Sequence, residues 1–215
     1  ASTSAHRFRV ETNAGSLACD SVVIATGGLS IPKSGATSWG YDIAKQFGLA
    51  IRETRAGLVP LTFQGELLER CRSLSGLSVD ARVRTKRASF AEGLLFTHRG
   101  LSGPSILQVS SYWRPASDII VDLTPGRDLL SELKNRKSET PKQQLQTALS
   151  EILPKRLASN LCDLHGANGR LGEMSMKRLE VISKSIREWT IRPGGTEGYR
   201  TAEVTLGGVD TEALS

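Results

Sequence analysis

Apolar and polar residues alternate from His6 to Thr12, with Phe8 and Val10 on one face, and the spacing predicts a strand. Asn13-Ala14-Gly15 supplies turn chemistry and Leu17 to Ala25 returns as a second strand, so a hairpin feeding a buried strand opens the chain. Val22-Val23-Ile24 suits a strand covered on both faces, as in a parallel sheet. The side chains then shrink to Ala25, Thr26, Gly27 and Gly28, small enough for a backbone or a ligand to come close. Ligands of open α/β sheets sit beyond the carboxyl ends of strands, where this change falls. A core strand ending in a flexible turn is the other reading.

Leu29 to Thr37 is a loop by its Pro, Gly and Ser content, and Tyr41 to Phe47 fits a short amphipathic helix stopped by Gly48. Leu49 to Ile51 begins another extended segment. From Leu77 to Arg84 the apolar residues Leu77, Val79, Ala81 and Val83 alternate with Ser78, Asp80, Arg82 and Arg84, a half-buried strand with a wet basic face. Ala91 to Phe96 and Asp118 to Leu123 are further strands. Thr97 to Pro104 reads as a turn into a helix over Ser105 to Trp113, either a tight connection or free amides for an anion or carbonyl.

Between Arg127 and Trp189 the period becomes helical. Leu129, Leu130 and Leu133 share a face, Thr140-Pro141 has the form of an N-cap and N1 pair, and Leu145, Leu149, Ile152 and Leu153 continue the stripe. Pro154 interrupts it; Arg156 to Leu164 and Ser175 to Trp189 are further helices, with a glycine-rich loop over Gly166 to Gly172. Thr190 to Arg192 and Tyr199 to Leu206 return to strand character.

The 215 residues carry a net charge of +6, which could attract nucleic acid or an acidic ligand but also suits a basic surface. The cations of the helical region lack interleaved aromatics and read as a solvated face, so nucleic acid is an unlikely partner. Cys19, Cys71 and Cys162 are scattered, with no Cys-x-x-Cys and no His at ligand spacing, as expected for reduced thiols of a cytoplasmic protein without a metal site. No apolar run approaches the ~20 residues that span a bilayer, so no membrane partner is expected. A polar patch from Ala1 to Ala5 without Met, and a short polar tail after Gly207-Gly208-Val209-Asp210, suggest a piece of a longer protein.

Four blocks add a resemblance. They are Ala25-Thr26-Gly27-Gly28-Leu29-Ser30-Ile31-Pro32 with Gly35 and Gly40-Tyr41; Leu58-Val59-Pro60-Leu61; Gly93 to Pro104; and Ala202 to Val209. In this order they resemble a bacterial family of NAD(P)/FAD-dependent oxidoreductases, of the aminoacetone-oxidase and bile-acid-reductase type. The resemblance implies a mixed α+β and α/β fold: a partial Rossmann-like FAD-binding domain with an inserted β-barrel and a small helical subdomain. It divides the chain into 1–61 and 202–215 for the split FAD domain, 62–126 and 190–201 for the barrel, and 127–189 for the helices. Two departures stand out. The family's N-terminal Gly-rich phosphate turn and C-terminal flavin segment are absent, and Ser38-Trp39-Gly40 stands where the family shows Gly-Asp-Gly.

By this resemblance Ala25, Thr26, Gly27, Gly28 and Ser30 contact FAD, and Gly207, Gly208 and Val209 approach its ring, while His98 and Ser102 contact substrate. The glycines of 207–208 equally make a turn. The expected activity is a hydride transfer through flavin N5 between a nicotinamide, NAD(P)H, or a small organic substrate and an acceptor. The alternative is a non-catalytic binding module that uses the basic helical subdomain for nucleic acid. Catalytic residues and oligomeric state are left open.

Overall fold

The structure, a computed structural model, describes residues 6–213. The polar patch Ala1 to Ala5 and the last two residues of the polar tail lie outside the described residues. Seven antiparallel strands form the main sheet: β4 (Leu61–Thr62), β5 (Ser78–Arg84), β6 (Ser89–Thr97), β7 (Gly100–Ser102), β8 (Ile119–Asp122), β9 (Trp189–Ile191) and β10 (Gly195–Thr196). Their order is β10-β4-β7-β6-β5-β8-β9, so the two edge strands are consecutive in the chain. If the sheet were flat, its edges would stand roughly 29 Å apart at about 4.8 Å per strand. The link from Ile191 to Gly195 reaches about 15 Å at most. The sheet therefore curls on itself as a barrel. The alternation read from 77–84 holds, with Ala81 and Val83 fully buried and Arg82 and Arg84 facing water.

The core lies inside this sheet and between it and the helices. α3 (Pro104–Ser110) lays Ile106 and Val109 against β5, β6 and β7, and α2 (Gly65–Ser73) packs Cys71 on β6 and β7. No helix is predicted over 65–73, although Leu67, Leu68 and Cys71 keep helical spacing. α4 (Leu129–Glu139), α5 (Leu145–Ser150), α6 (Lys155–Leu164) and α7 (Met176–Arg187) form the helical part. Asp128 caps α4 by accepting from the Ser131 amide at 3.3 Å, and Ser175 caps α7 by accepting from the Arg178 amide at 3.2 Å. Thr140-Pro141 starts no helix. The Thr140 amide donates to the Arg136 carbonyl at 2.7 Å and ends α4, while the Pro141 carbonyl accepts from Gly172 at 2.8 Å.

The remaining elements are short. β1 (Phe8–Thr12) and β2 (Gly15–Cys19) form the expected hairpin, α1 (Trp39–Gln46) follows, and β3 (Ile51–Gly57) pairs antiparallel with β11 (Val204–Val209). One expectation fails outright. Val22-Val23-Ile24 is neither a strand nor buried: Val23 is 87% exposed, and the backbone of 21–28 makes no hydrogen bond among the described residues. A strand needs a neighbour to pair with, and among the described residues none flanks this run. Every strand pair there is antiparallel, so the fold is mixed α+β and the described residues form no parallel sheet.

Candidate functional site

The site is built on β11. Its pairing with β3 slips between Leu206 and Gly208, a β-bulge. Gly207 makes the bulge possible: its φ is +81°, and a Cβ there would stand 2.2 Å from the Glu53 carbonyl oxygen. Just before the bulge, Thr205 turns its hydroxyl to the loop after the small-residue run. The amides of Leu29 and Ser30 both donate to Thr205 Oγ1 at 3.1 Å, and Ser30 Oγ lies 2.9 Å from it. A hydroxyl has two lone pairs and one proton, so Thr205 accepts from the two amides and donates to Ser30. The Ile31 amide adds a bond to the Tyr199 carbonyl at 3.0 Å.

Tyr41, from α1, joins the two glycine segments. A Cβ on Gly28 would meet its hydroxyl at 3.0 Å, and one on Gly208 would meet its Cε1 at 3.5 Å. α1 approaches this closely because Gly40 has no side chain; a Cβ there would lie 3.2 Å from Thr26 Oγ1 and 3.4 Å from Ile24 Cγ2. The structure thus brings Thr26, Gly28, Ser30, Gly207 and Gly208 to one wall, with Ala25 before the first of these, Gly27 between the first two and Val209 after the last. Tyr41, Gly40 and Thr205 hold the wall together; from the sequence Gly40 and Tyr41 stand out only as part of a motif, and Thr205 only as part of a strand.

These residues divide into two groups when tested against a flavin dinucleotide. Gly28, Ser30 and Gly207 have their space or hydrogen bonds taken by the protein's own atoms. Ala25, Thr26 and Gly27 are exposed, and their amides are without a partner among the described residues, a donor set suited to phosphate or carbonyl oxygens. Beside them stand exposed apolar side chains: Val22, Val23, Ile24, Ile31 and Trp39. The chemistry fits one side of a cleft, polar amides next to apolar surface.

His98 and Ser102 are not brought to this wall by any hydrogen bond among the described residues. His98 is exposed in the β6–β7 turn, where its carbonyl accepts from Arg72 Nε at 3.4 Å, and Ser102 pairs with Leu95. The turn before α3 is a close contact between backbones: Gly103 has φ +89°, and a Cβ there would lie 2.7 Å from the Gly93 carbonyl oxygen. In the helical part several cations serve the fold. Lys137 Nζ donates to the carbonyls of Leu171, Gly172 and Met174 at 3.1, 2.8 and 2.7 Å. Arg178 donates to the carbonyls of His165 and Gly166, Arg156 donates to that of Ser73, and Arg136 pairs with Glu151. Burial pushes the thiols of Cys71 and Cys162 up to about 12 and about 11, so neither is a nucleophile near neutral pH. No helix of the described residues is long and apolar enough to cross a membrane, and no cluster among them could hold a metal ion.

Comparison with known proteins changes the reading. A family model described as the HI0933-like protein barrel and H2TH domain matches residues 55–204. A ribosomal RNA dihydrouridine synthase of Escherichia coli is 46% identical over 214 residues, covering 97% of this chain and 52% of that protein. A protein of the same name from Haemophilus influenzae is 41% identical over 211 residues, again 97% of this chain and 52% of its own length. The chain spans about half the length of these relatives. These matches correct the resemblance to NAD(P)/FAD-dependent oxidoreductases of the aminoacetone-oxidase and bile-acid-reductase type. They also overturn the expectation of a small-molecule substrate with nucleic acid unlikely, since both relatives are named for acting on ribosomal RNA. That expectation weighed the lack of aromatics among the helical cations and did not consider the barrel.

Proposed function

The chain belongs to the family of the HI0933-like barrel and H2TH domain, and from that membership we propose that it is part of an enzyme that reduces uridine to dihydrouridine in ribosomal RNA. The observation that carries this is identity of 46% and 41% to two such synthases across 97% of the chain. In uridine the C5=C6 bond is conjugated with the C4 carbonyl. Reduction adds a hydride at C6 and a proton at C5, leaving C5–C6 a single bond.

A two-electron donor is required, and FAD, when bound and first reduced by an external reductant, would supply that hydride. Ala25, Thr26 and Gly27 would hold the dinucleotide through their free amides, while Gly208, buried against Tyr41, and Val209, paired with Ile51, would back that wall. Gly28, Ser30 and Gly207 support that wall: Gly28 admits Tyr41, Ser30 is tied to Thr205, and Gly207 makes the bulge that sets Gly208. Thr205 keeps the loop in place, and the apolar residues from Val22 to Ile24 keep water from that side. His98 and Ser102 do not enter this proposal.

The test is dihydrouridine in ribosomal RNA, read by mass spectrometry of nucleosides. Deleting the gene in its own host is expected to remove it, and the purified full-length protein with FAD and a reductant is expected to restore it on the unmodified RNA. Unchanged dihydrouridine in the deletion strain refutes the proposal. If the deletion removes it and a full-length protein free of flavin restores it, the cofactor reading alone fails.

A further inference from the structure

The β5–β6 hairpin and the segment after α3 meet around a groove of about 680 Å³. Its rim carries Arg84, Lys86, Arg87 and Arg114, all exposed and none in a salt bridge among the described residues. The acid on the rim is Asp118, and its carboxylate is held by Arg192 at 2.7 and 3.2 Å. No carboxylate forms a salt bridge with these four cations among the described residues, although Arg114 Nη1 also donates to the Trp113 carbonyl at 3.3 Å. Arg55 stands in the same field. Burial first, and then the guanidinium of Arg114, hold its pKa below the ordinary value; Glu53 opposes this and Arg87 adds to it. Like charges collected this way raise the free energy of the free protein, which a bound polyanion relieves.

The groove also has an aromatic face. Tyr112 is 46% exposed, and its ring is backed by Phe90 at 5.7 Å between centroids. The charged rim is preformed. At the hairpin tip the Thr85 amide donates to the Ala88 carbonyl at 2.9 Å, and Thr85 Oγ1 accepts from the amides of Arg87 and Ala88 at 3.2 Å. Across the groove, Ser117 Oγ donates to the Arg114 carbonyl at 2.5 Å, and the Trp113 indole donates to the Ser117 carbonyl at 2.8 Å.

We propose that this groove seats an unpaired stretch of RNA, its phosphates on Arg84, Lys86, Arg87 and Arg114 and one base stacked on Tyr112. This rests on the reading of ribosomal RNA as substrate and says which surface holds the strand. A duplex turns its base faces inward, so an exposed ring backed by a second ring fits a splayed base. Tight turns on both sides mean that little ordering entropy is lost when phosphate arrives.

The test measures binding of a short labelled oligouridine to the full-length protein across a salt series. Arg87→Glu with Arg114→Glu is expected to weaken binding at least tenfold and to make the slope of log affinity against log salt shallower by about 1.4, roughly 0.7 for each lost phosphate contact. Tyr112→Ala is expected to cost about tenfold, with Tyr112→Phe close to wild type. A hairpin duplex of equal charge should bind less tightly. Unaltered thermal melting confirms that these surface variants fold. The inference is overturned if the double variant keeps the wild-type slope, if Tyr112→Ala binds like wild type, or if the duplex binds as well as the single strand. Loss of binding with Lys142→Glu and Lys177→Glu, and none with the groove variants, also overturns it. If wild type makes dihydrouridine while the groove variants are unaffected, this inference alone fails; if wild type neither binds oligouridine nor makes dihydrouridine, the parent reading fails with it.

Discussion

Replacing Thr205 by valine keeps the shape of the side chain and removes its hydroxyl. The amides of Leu29 and Ser30, each 3.1 Å from Oγ1, then lose their acceptor, and Ser30 Oγ loses its donor at 2.9 Å. A fully buried unsatisfied amide costs about 1–3 kcal/mol. These two are half-buried and water replaces part of the loss, so we expect about 2 kcal/mol for holding the loop in place. That corresponds to about a thirtyfold rise in the loop's opening equilibrium. Because the rest of the core does not depend on the loop, the global melting temperature should change little. Hydrogen exchange followed by mass spectrometry on the full-length protein reads the effect directly, as faster exchange at Leu29 and Ser30. Thr205→Ser restores the oxygen and should restore protection. FAD retention, read from visible absorbance, should fall in the valine variant and recover in the serine variant. Unchanged exchange would refute the hydrogen-bond assignment, and faster exchange with undiminished FAD retention would separate this loop from the cofactor.

Three further outcomes follow from the geometry. Gly103→Ala combines φ +89° with a Cβ 2.7 Å from a carbonyl oxygen, and should cost about 2–4 kcal/mol in urea unfolding. Gly126→Ala at φ +80° meets nothing within 4 Å and should cost about 1 kcal/mol; equal losses would show that crowding is not the cause. Lys137→Met removes the donor of the Gly172 and Met174 carbonyls, while that of Leu171 keeps the Met174 amide at 3.2 Å, and should destabilise by about 2 kcal/mol in the same measurement. His165 is held below its ordinary pKa of 6.5 by burial, then by Arg70 and Arg178. The unfolded chain thus binds its proton more readily, and the stability this contributes is present above the ordinary value and lost as pH falls through the folded one. The urea midpoint should drop on acidification below about pH 6.5, and His165→Gln should flatten that part of the profile. A profile that stays as steep in the variant would assign the loss to other groups.

Of the barrel strands, β4, β7 and β10 are two or three residues long, too short to show a period, and β7 lies within the stretch 97–104 that reads as a turn. Strands β5, β6, β8 and β9 were legible, β5 most directly because period-two alternation reports burial: Val79, Ala81 and Val83 turn inward as their spacing requires. The same logic marked α4, α6 and α7. It failed at Val22-Val23-Ile24, where composition gives a residue's fitness for burial but not the presence of a neighbour to bury it. Thr140-Pro141 failed for a related reason, since the pair can end one helix as well as begin another. The glycines of the wall were visible as a motif, whereas their partners were not. Thr205 lies 176 positions from Leu29, and nothing local marks a threonine in a strand as the anchor of a distant loop. The basic groove escaped for the same reason: its cations come from a hairpin tip and a segment near Arg114 that only the fold makes neighbours.

The contact between Thr205 and the Leu29–Ser30 loop also orders events during synthesis. A ribosome delivers residues 22–30 long before it delivers β11, and the barrel and all four helices from α4 to α7 emerge in between. Until then the Leu29 and Ser30 amides have no acceptor and the exposed run Val22 to Ile24 hangs on an untethered loop, a condition that invites association with other nascent chains. Slow elongation through the helical segment would lengthen that wait. The yield of folded protein should therefore respond to translation speed over α4 to α7 more than over the opening hairpin.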